Sequence, residues 1–147
     1  MALLDVRASR VHGSGLFVTR PIAAGTRVGE YTGERITEAE ARRRYDHTRD
    51  PSPQTYLFAA GDGAVIDGLA GGNETRFINH SCEPNCRAVR QAGRVFVEVL
   101  RDLPAGAELF LDYALRGSAP ATADDRARFA CRCGAPTCRG TMIGDTG

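Results

Sequence analysis

The chain has 147 residues, enough for one domain with a real core and too few to divide comfortably into two. A formal net charge of +1 excludes the global positive field that drives non-specific nucleic-acid binding, so no strong direct nucleic-acid contact is expected. All 19 cationic residues are arginine, which leaves no lysine amine to serve as a nucleophile, a Schiff base or a modification target.

Short β-like runs follow one another along the chain. Leu3–Val6, Leu16–Thr19 and Thr26–Tyr31 read as strands, parted by glycine, proline or polar turns. A helix follows: Thr37 is placed to cap it, Glu40 stands three residues later in capping-box position, and EAEARRRYDH continues from Glu38. Pro51 and Pro53 bar its extension, and Arg42, Arg43 and Arg44 read as a solvated helix face. Thr55–Ala59, Ala64–Asp67, Cys86–Arg90, Arg94–Val99 and Glu108–Leu111 are further strands, with Gln91-Ala92-Gly93 as a tight hairpin loop. From Leu115 to Ala123 the composition shifts to Gly, Ser, Ala, Pro and Thr, as in a linker. A short helix is expected over Ala123–Phe129, ahead of a cysteine-rich tail.

No run approaches the roughly 20 apolar residues that a membrane helix needs. The opening MALLDVRASR lacks the apolar stretch of a signal peptide. The expectation is a soluble protein without a membrane partner in a reducing compartment: cytoplasmic, or nuclear if the source is eukaryotic or viral. Five cysteines there suit metal ligands or buried thiols better than disulfides. CRCGAPTCRG spaces Cys131, Cys133 and Cys138 as C-x-C-x4-C, with Gly134 and Pro136 forcing a turn. Zinc favours four thiolates in a tetrahedron. The tail has three, so the fourth comes from elsewhere, and only Cys82 and Cys86 remain. That arithmetic links the tail to RFINHSCEPNCRAV, residues 76–89, where an Asn-His pair stands beside a thiol.

Six blocks in order, HGSGLF, GEYTGERIT, TYLF, GNETRFINHSCEPNC, AELFLDY and the cysteine tail, resemble the SET-domain protein lysine methyltransferases over nearly the whole chain. The resemblance implies a mainly β fold of several small sheets, with a knot-like crossing of the 76–89 segment beside the strand ending at Tyr113, and a short zinc-binding C-terminal tail. The implied divisions are a SET domain over 1–116, a linker over 117–124 and a post-SET tail over 125–147. The implied reaction is methyl transfer from S-adenosylmethionine to a lysine side chain of another protein, with a histone or basic chromosomal protein as candidate. The alternative is a catalytically silent module of the same fold that holds cofactor or peptide.

By that likeness Tyr113 is the catalytic tyrosine and Tyr31 lines the lysine channel. Gly13, Ser14, Gly15, Tyr56, Arg76, Asn79 and His80 receive the cofactor. Cys82 joins Cys131, Cys133 and Cys138 on zinc, which leaves Cys86 as a buried thiol. Asp112 is expected as a turn or hydrogen-bond anchor, and Arg76 and Glu74 are expected to hold the crossing by ion pairing or hydrogen bonds. Leu111 stands where many relatives carry Phe or Tyr, and its lack of a hydroxyl predicts that methylation proceeds beyond one methyl. The chain also lacks the cysteine-rich segment that precedes the domain in many histone-directed relatives, so a minimal enzyme is expected.

Overall fold

The computed structural model describes residues 3–11, 13–45, 55–113 and 122–144. Ten short strands, β1 (Leu4–Ala8), β2 (Ser14–Val18), β3 (Arg27–Tyr31), β4 (Glu34–Ile36), β5 (Leu57–Ala59), β6 (Val65–Asp67), β7 (Asn79–His80), β8 (Cys86–Gln91), β9 (Arg94–Val99) and β10 (Phe110–Leu111), form four small sheets. β1 pairs with β2, β9 lies between β3 and β8, and β6 lies between β4 and β5, all antiparallel. β7 and β10 pair in parallel. Two α-helices, α1 (Glu38–Tyr45) and α2 (Ala123–Arg128), and a 3-10 helix at Glu74–Phe77 accompany the strands. The mainly β architecture of several small sheets is therefore as expected.

The strands form where apolar and polar residues alternate. Val95, Val97 and Val99 of β9 are buried, while Arg94 faces out. Arg94 opens β9 opposite Gln91, so the hairpin loop is the two residues Ala92-Gly93, with φ of 53° and 74°. Two left-handed residues in succession match the right-handed twist of the flanking strands. One core cluster includes Leu16, Val18, Ile78, Val97, Val99, Leu109 and Leu111, with Tyr113 packed against it. A second gathers Tyr31, Ala60, Ile66 and Val95, and the half-buried Phe58 packs on both.

Several expectations need correction. β4 and β7 were not anticipated, because ladders of three and two residues are too short to show alternation. Thr55 and Tyr56 form a 3-10 turn ahead of β5, and Glu108 makes an isolated bridge to Phe17 ahead of β10. Thr37 does cap α1, with the Glu40 N–H donating to its hydroxyl at 3.1 Å. The Glu40 carboxylate, however, pairs with Arg43 and Arg44 on its own helix. Arg44 leaves the solvated face: it bonds Glu34 at 2.9 Å and the fully buried Asp67 at 3.0 Å. With Tyr45 donating to Asp67 at 2.6 Å, this fastens α1 to β6. Residues 46–47 of the expected helix, Pro51 and Pro53 lie outside the described residues, as does the expected linker as far as residue 121. Ala123 and Asp124, assigned to that linker, already belong to α2, whose N-terminus is closed by a reciprocal Thr122–Asp125 capping box.

Candidate active site and metal centre

The β7–β10 ladder brings Asn79 opposite Phe110 and His80 opposite Leu111. Asn85 staples the same two segments: its side chain donates to the Glu108 carbonyl and accepts from the Phe110 N–H, both at 2.8 Å. Two residues past the end of β10, the Tyr113 N–H donates to His80 Nδ1 at 3.0 Å, and the two rings meet edge to face at 5.2 Å. The Tyr113 hydroxyl donates to the Ile78 carbonyl at 2.5 Å. The short segment 78–80 thus holds both ends of Tyr113. Burial pushes the His80 imidazole down to about 4, with Asp112 opposing and Arg139 assisting, so the ring is neutral at neutral pH.

Three phenols converge. The Tyr31 hydroxyl donates to the Tyr56 carbonyl at 2.7 Å, and its ring lies 4.8 Å from Phe58. A Cβ on Gly68 would stand 2.4 Å from that hydroxyl, so glycine is required at 68 for this approach. Burial raises the Tyr31 phenol well above the ordinary range, with Tyr113, Tyr56 and Asp67 adding and Arg76 opposing. Burial likewise raises Tyr113, with Tyr56 and Glu108 adding. Both phenols keep their protons at neutral pH, so neither is a base there. Arg76 forms no ion pair with Glu74 among the described residues; its guanidinium lies 4.9 Å from the centre of the Phe77 ring.

The glycine turn is organised by a residue that went unassigned. Glu108 accepts from the Ser9 hydroxyl at 2.9 and 2.8 Å and from the Asn79 side-chain amide at 3.0 Å. The Asn79 amide also donates to the Ser14 carbonyl at 3.0 Å. Ser9 closes the turn, its N–H donating to the Gly13 carbonyl at 2.7 Å. A Cβ on Gly15 would stand 2.4 Å from a Glu108 carboxylate oxygen. Gly13, at φ 46°, faces open space. The Asn79 side chain therefore shapes the turn, and Gly13 and Ser14 stand exposed. A turn with φ 46° and no atom near the Gly13 Cβ position lets a cofactor approach the backbone closely, which is the chemistry a nucleoside seat needs. An acid set directly before the apolar run Leu109-Phe110-Leu111 was the available signal for Glu108.

The sulfurs of Cys82, Cys131, Cys133 and Cys138 all lie within 4.8 Å of one another, with Cys82 and Cys131 3.8 Å apart. Four zinc–sulfur bonds of about 2.3 Å put tetrahedral edges at roughly 3.8 Å, so the donor set fits zinc. Backbone N–H groups already serve these sulfurs, from Arg139 to Cys82 at 3.3 Å and from Gly140 to Cys138 at 3.4 Å. Burial raises the Cys133 thiol, but N–H groups of Cys82 and Ala135 and the thiols of Cys131 and Cys138 outweigh it, bringing it down to about 6. Cys86, the other candidate for the fourth ligand, is 1% exposed in the core and raised by burial to about 11. Phe129, Thr141 and Ile143 give the tail a small buried centre of its own. Arg139 then joins it to the ladder through a two-point ion pair with Asp112, the expected anchor.

Comparison with known proteins places these features in company. A family model described as the SET domain matches residues 13–114. The chain is 38% identical over 139 residues to the histone-lysine N-methyltransferase, H3 lysine-4 specific, of Saccharomyces cerevisiae, covering 91% of this chain and 12% of the relative. The protein of the same name in Eremothecium gossypii is 37% identical, covering 91% and 14%. Histone-lysine N-methyltransferase trithorax of Drosophila virilis is 38% identical over 142 residues, covering 92% and 4%. The chain thus spans only a small part of the length of these curated relatives.

Proposed function

The chain belongs to the SET-domain family, and from that premise we propose that it is a protein-lysine N-methyltransferase that uses S-adenosylmethionine and carries zinc on Cys82, Cys131, Cys133 and Cys138. The observation that carries this reading is the meeting of three phenols, Tyr31, Tyr56 and Tyr113, beside the 79–80 ladder and the Gly13–Gly15 turn. Bound S-adenosylmethionine supplies a methyl group on a sulfonium. Gly13, Ser14, Gly15, Tyr56, Arg76, Asn79 and His80 form its seat, with Glu108 and Ser9 holding the turn in shape.

A lysine amine has a pKa near 10.4, so roughly one in a thousand or fewer is neutral at pH 7. A water-poor channel lowers that pKa by disfavouring the charged form. Tyr31 is 4% exposed and Ile78 2%, which supplies such walls. Because the Tyr113 hydroxyl donates its hydrogen bond to the Ile78 carbonyl, its lone pairs remain to accept from an amine N–H and aim the nitrogen. Its contribution is orientation, since a phenol that holds its proton cannot take another group's at neutral pH. Tyr31, tied to the Tyr56 carbonyl, stiffens the opposite wall.

Residues 1–116 act as the SET domain and the tail from α2 onward as a post-SET module. The substrate is a lysine of another protein, as the chain has none of its own, and the relatives' names make histone H3 the first candidate. A nuclear setting goes with that substrate. No described helix is long and apolar enough to cross a membrane, and the cytoplasmic expectation gains nothing from the relatives.

The test is transfer of labelled methyl from S-adenosylmethionine to histones and to other basic proteins, with Tyr113→Phe as control. Label on lysine that falls at least about a hundredfold in the variant supports the reading. Cofactor binding without label on any lysine-bearing protein overturns it.

A further inference from the structure

We propose that His80 is a positioning residue that couples the metal-binding tail to Tyr113, its ring held with the proton on Nε2 so that it bridges the Cys82 sulfur and the Tyr113 backbone. This rests on the functional reading above for the metal and for Tyr113. Two contacts fix the geometry. Nδ1 accepts the Tyr113 N–H at 3.0 Å, and Nε2 lies 3.5 Å from Cys82 Sγ. A backbone N–H can only donate, so Nδ1 presents its lone pair and carries no hydrogen, which leaves Nε2 as the ring's one N–H. A zinc-bound thiolate can only accept. The two ends of the ring are therefore matched to their partners, as in the hydrogen bonds that orient metal ligands from outside the coordination sphere.

One group competes for the other tautomer. Asp112 Oδ1 stands 3.7 Å from Nδ1, where a carboxylate would favour a hydrogen. That distance is too long for a hydrogen bond, and both Asp112 oxygens are engaged by Arg139 at 2.8 and 2.9 Å. The ring itself is 3% exposed on its side chain, so water does not replace either partner. Tyr113 is thereby held at its backbone by a ring whose far edge rests on a metal ligand. Its hydroxyl is held by the carbonyl of Ile78, two residues before that ring. Filling the metal site fixes Cys82, Cys82 fixes the ring, and the ring fixes the start of the phenol that aims the amine.

The experiment is nuclear magnetic resonance on the full chain, with zinc and after chelation, reading the histidine ring nitrogens and the exchange rate of the Tyr113 amide. Of the three histidines, the His80 signal is the one missing from His80→Asn. The ring proton is expected on Nε2, and zinc is expected to slow Tyr113 amide exchange by about tenfold, the worth of one hydrogen bond. His80→Asn keeps an acceptor where Nδ1 stood and loses the arm to sulfur, so the amide stays protected whatever the metal content. His80→Gln keeps a donor near Nε2 and loses the acceptor, so protection is lost with and without zinc. A ring proton on Nδ1 in the unmodified zinc-bound protein overturns the inference without any variant. So does an amide whose exchange ignores zinc, or a His80→Asn protein that responds to zinc as the parent does. Zinc content measured on the same samples separates the two levels: a protein that takes up no zinc overturns the metal reading and this inference together, whereas one zinc per chain with the wrong tautomer overturns the inference alone.

Discussion

The guanidinium of Arg139 grips the carboxylate of Asp112 at 2.8 and 2.9 Å, so the last turn of the cysteine tail is tied to the residue beside Tyr113. Both side chains are about three-tenths exposed, which moderates the strength of the pair. Arg139→Ala is expected to cost about 1–2 kcal/mol, since two-point charged bonds exceed a lone surface pair. It should also speed zinc loss to a chelator several-fold. Arg139→Lys restores charge but not the fork, so it should recover only part. Unchanged melting and unchanged zinc loss in Arg139→Ala would show that the metal alone seats the tail.

Gly15 abuts the Glu108 carboxylate, and that carboxylate is not free to swing away. Ser9 and Asn79 both donate to it. In Gly15→Ala the new methyl meets Glu108 Oε2 at 2.4 Å and forces one of those bonds to break. Bonds to a charged acceptor contribute about 1.5–3 kcal/mol, so S-adenosylmethionine affinity should fall by roughly 10- to 100-fold. Titration calorimetry reads this directly, with zinc content as the check that the tail is intact. Parental affinity in Gly15→Ala would remove Glu108 from the account of the turn.

Leu111 lies 3% exposed in the larger core cluster, opposite His80. It has no hydroxyl with which to hold a water beside an incoming amine. Di- and trimethylated product is therefore expected from the unmodified chain, and Leu111→Tyr should shift the product toward one methyl. The added bulk costs about 1–3 kcal/mol of stability. Leu111→Phe carries nearly the same bulk without the hydroxyl, so it separates crowding from water retention. A mass-spectrometric time course on an accepted lysine peptide decides the matter, and a parental enzyme that halts at one methyl contradicts it.

Alkaline pH should unfold this protein early. Burial holds the Cys86 thiol at about 11 against an ordinary 9.0 and raises the Tyr31 and Tyr113 phenols too. Between those values the unfolded chain releases protons that the folded chain retains. Stability therefore falls as pH climbs from 9 toward 11, by about 2–3 kcal/mol for Cys86 alone. Melting followed by circular dichroism over that window checks the slope, and Cys86→Ala should flatten it. A slope unaffected by that substitution would point to the phenols instead.

Sequence reading reached the features whose signals are local. Val95, Val97 and Val99 alternate, Thr37 caps, and three closely spaced cysteines imply a fourth partner. It missed what depends on the chain's return. Nothing near Glu108 shows that Ser9 and Asn79 will meet it, and nothing near Arg139 points to Asp112. Arg44 read as surface because its neighbours Arg42 and Arg43 are, while its acceptor Asp67 lies 23 positions away. Cys82 and Cys86 could not be told apart by thiol chemistry, since the difference is that one opens toward the tail and the other faces the core.

The bonds that shape the cavity span great lengths of chain: Ser9 to Glu108 is 99 positions, Cys82 to Cys131 is 49 and His80 to Tyr113 is 33. A nascent chain consequently lacks the brace at Glu108 and the ring contact at Tyr113 until those residues have emerged. Such non-local closure is slow to form, and a ribosome that stalls short of residue 108 releases a fragment with the glycine turn but nothing to brace it.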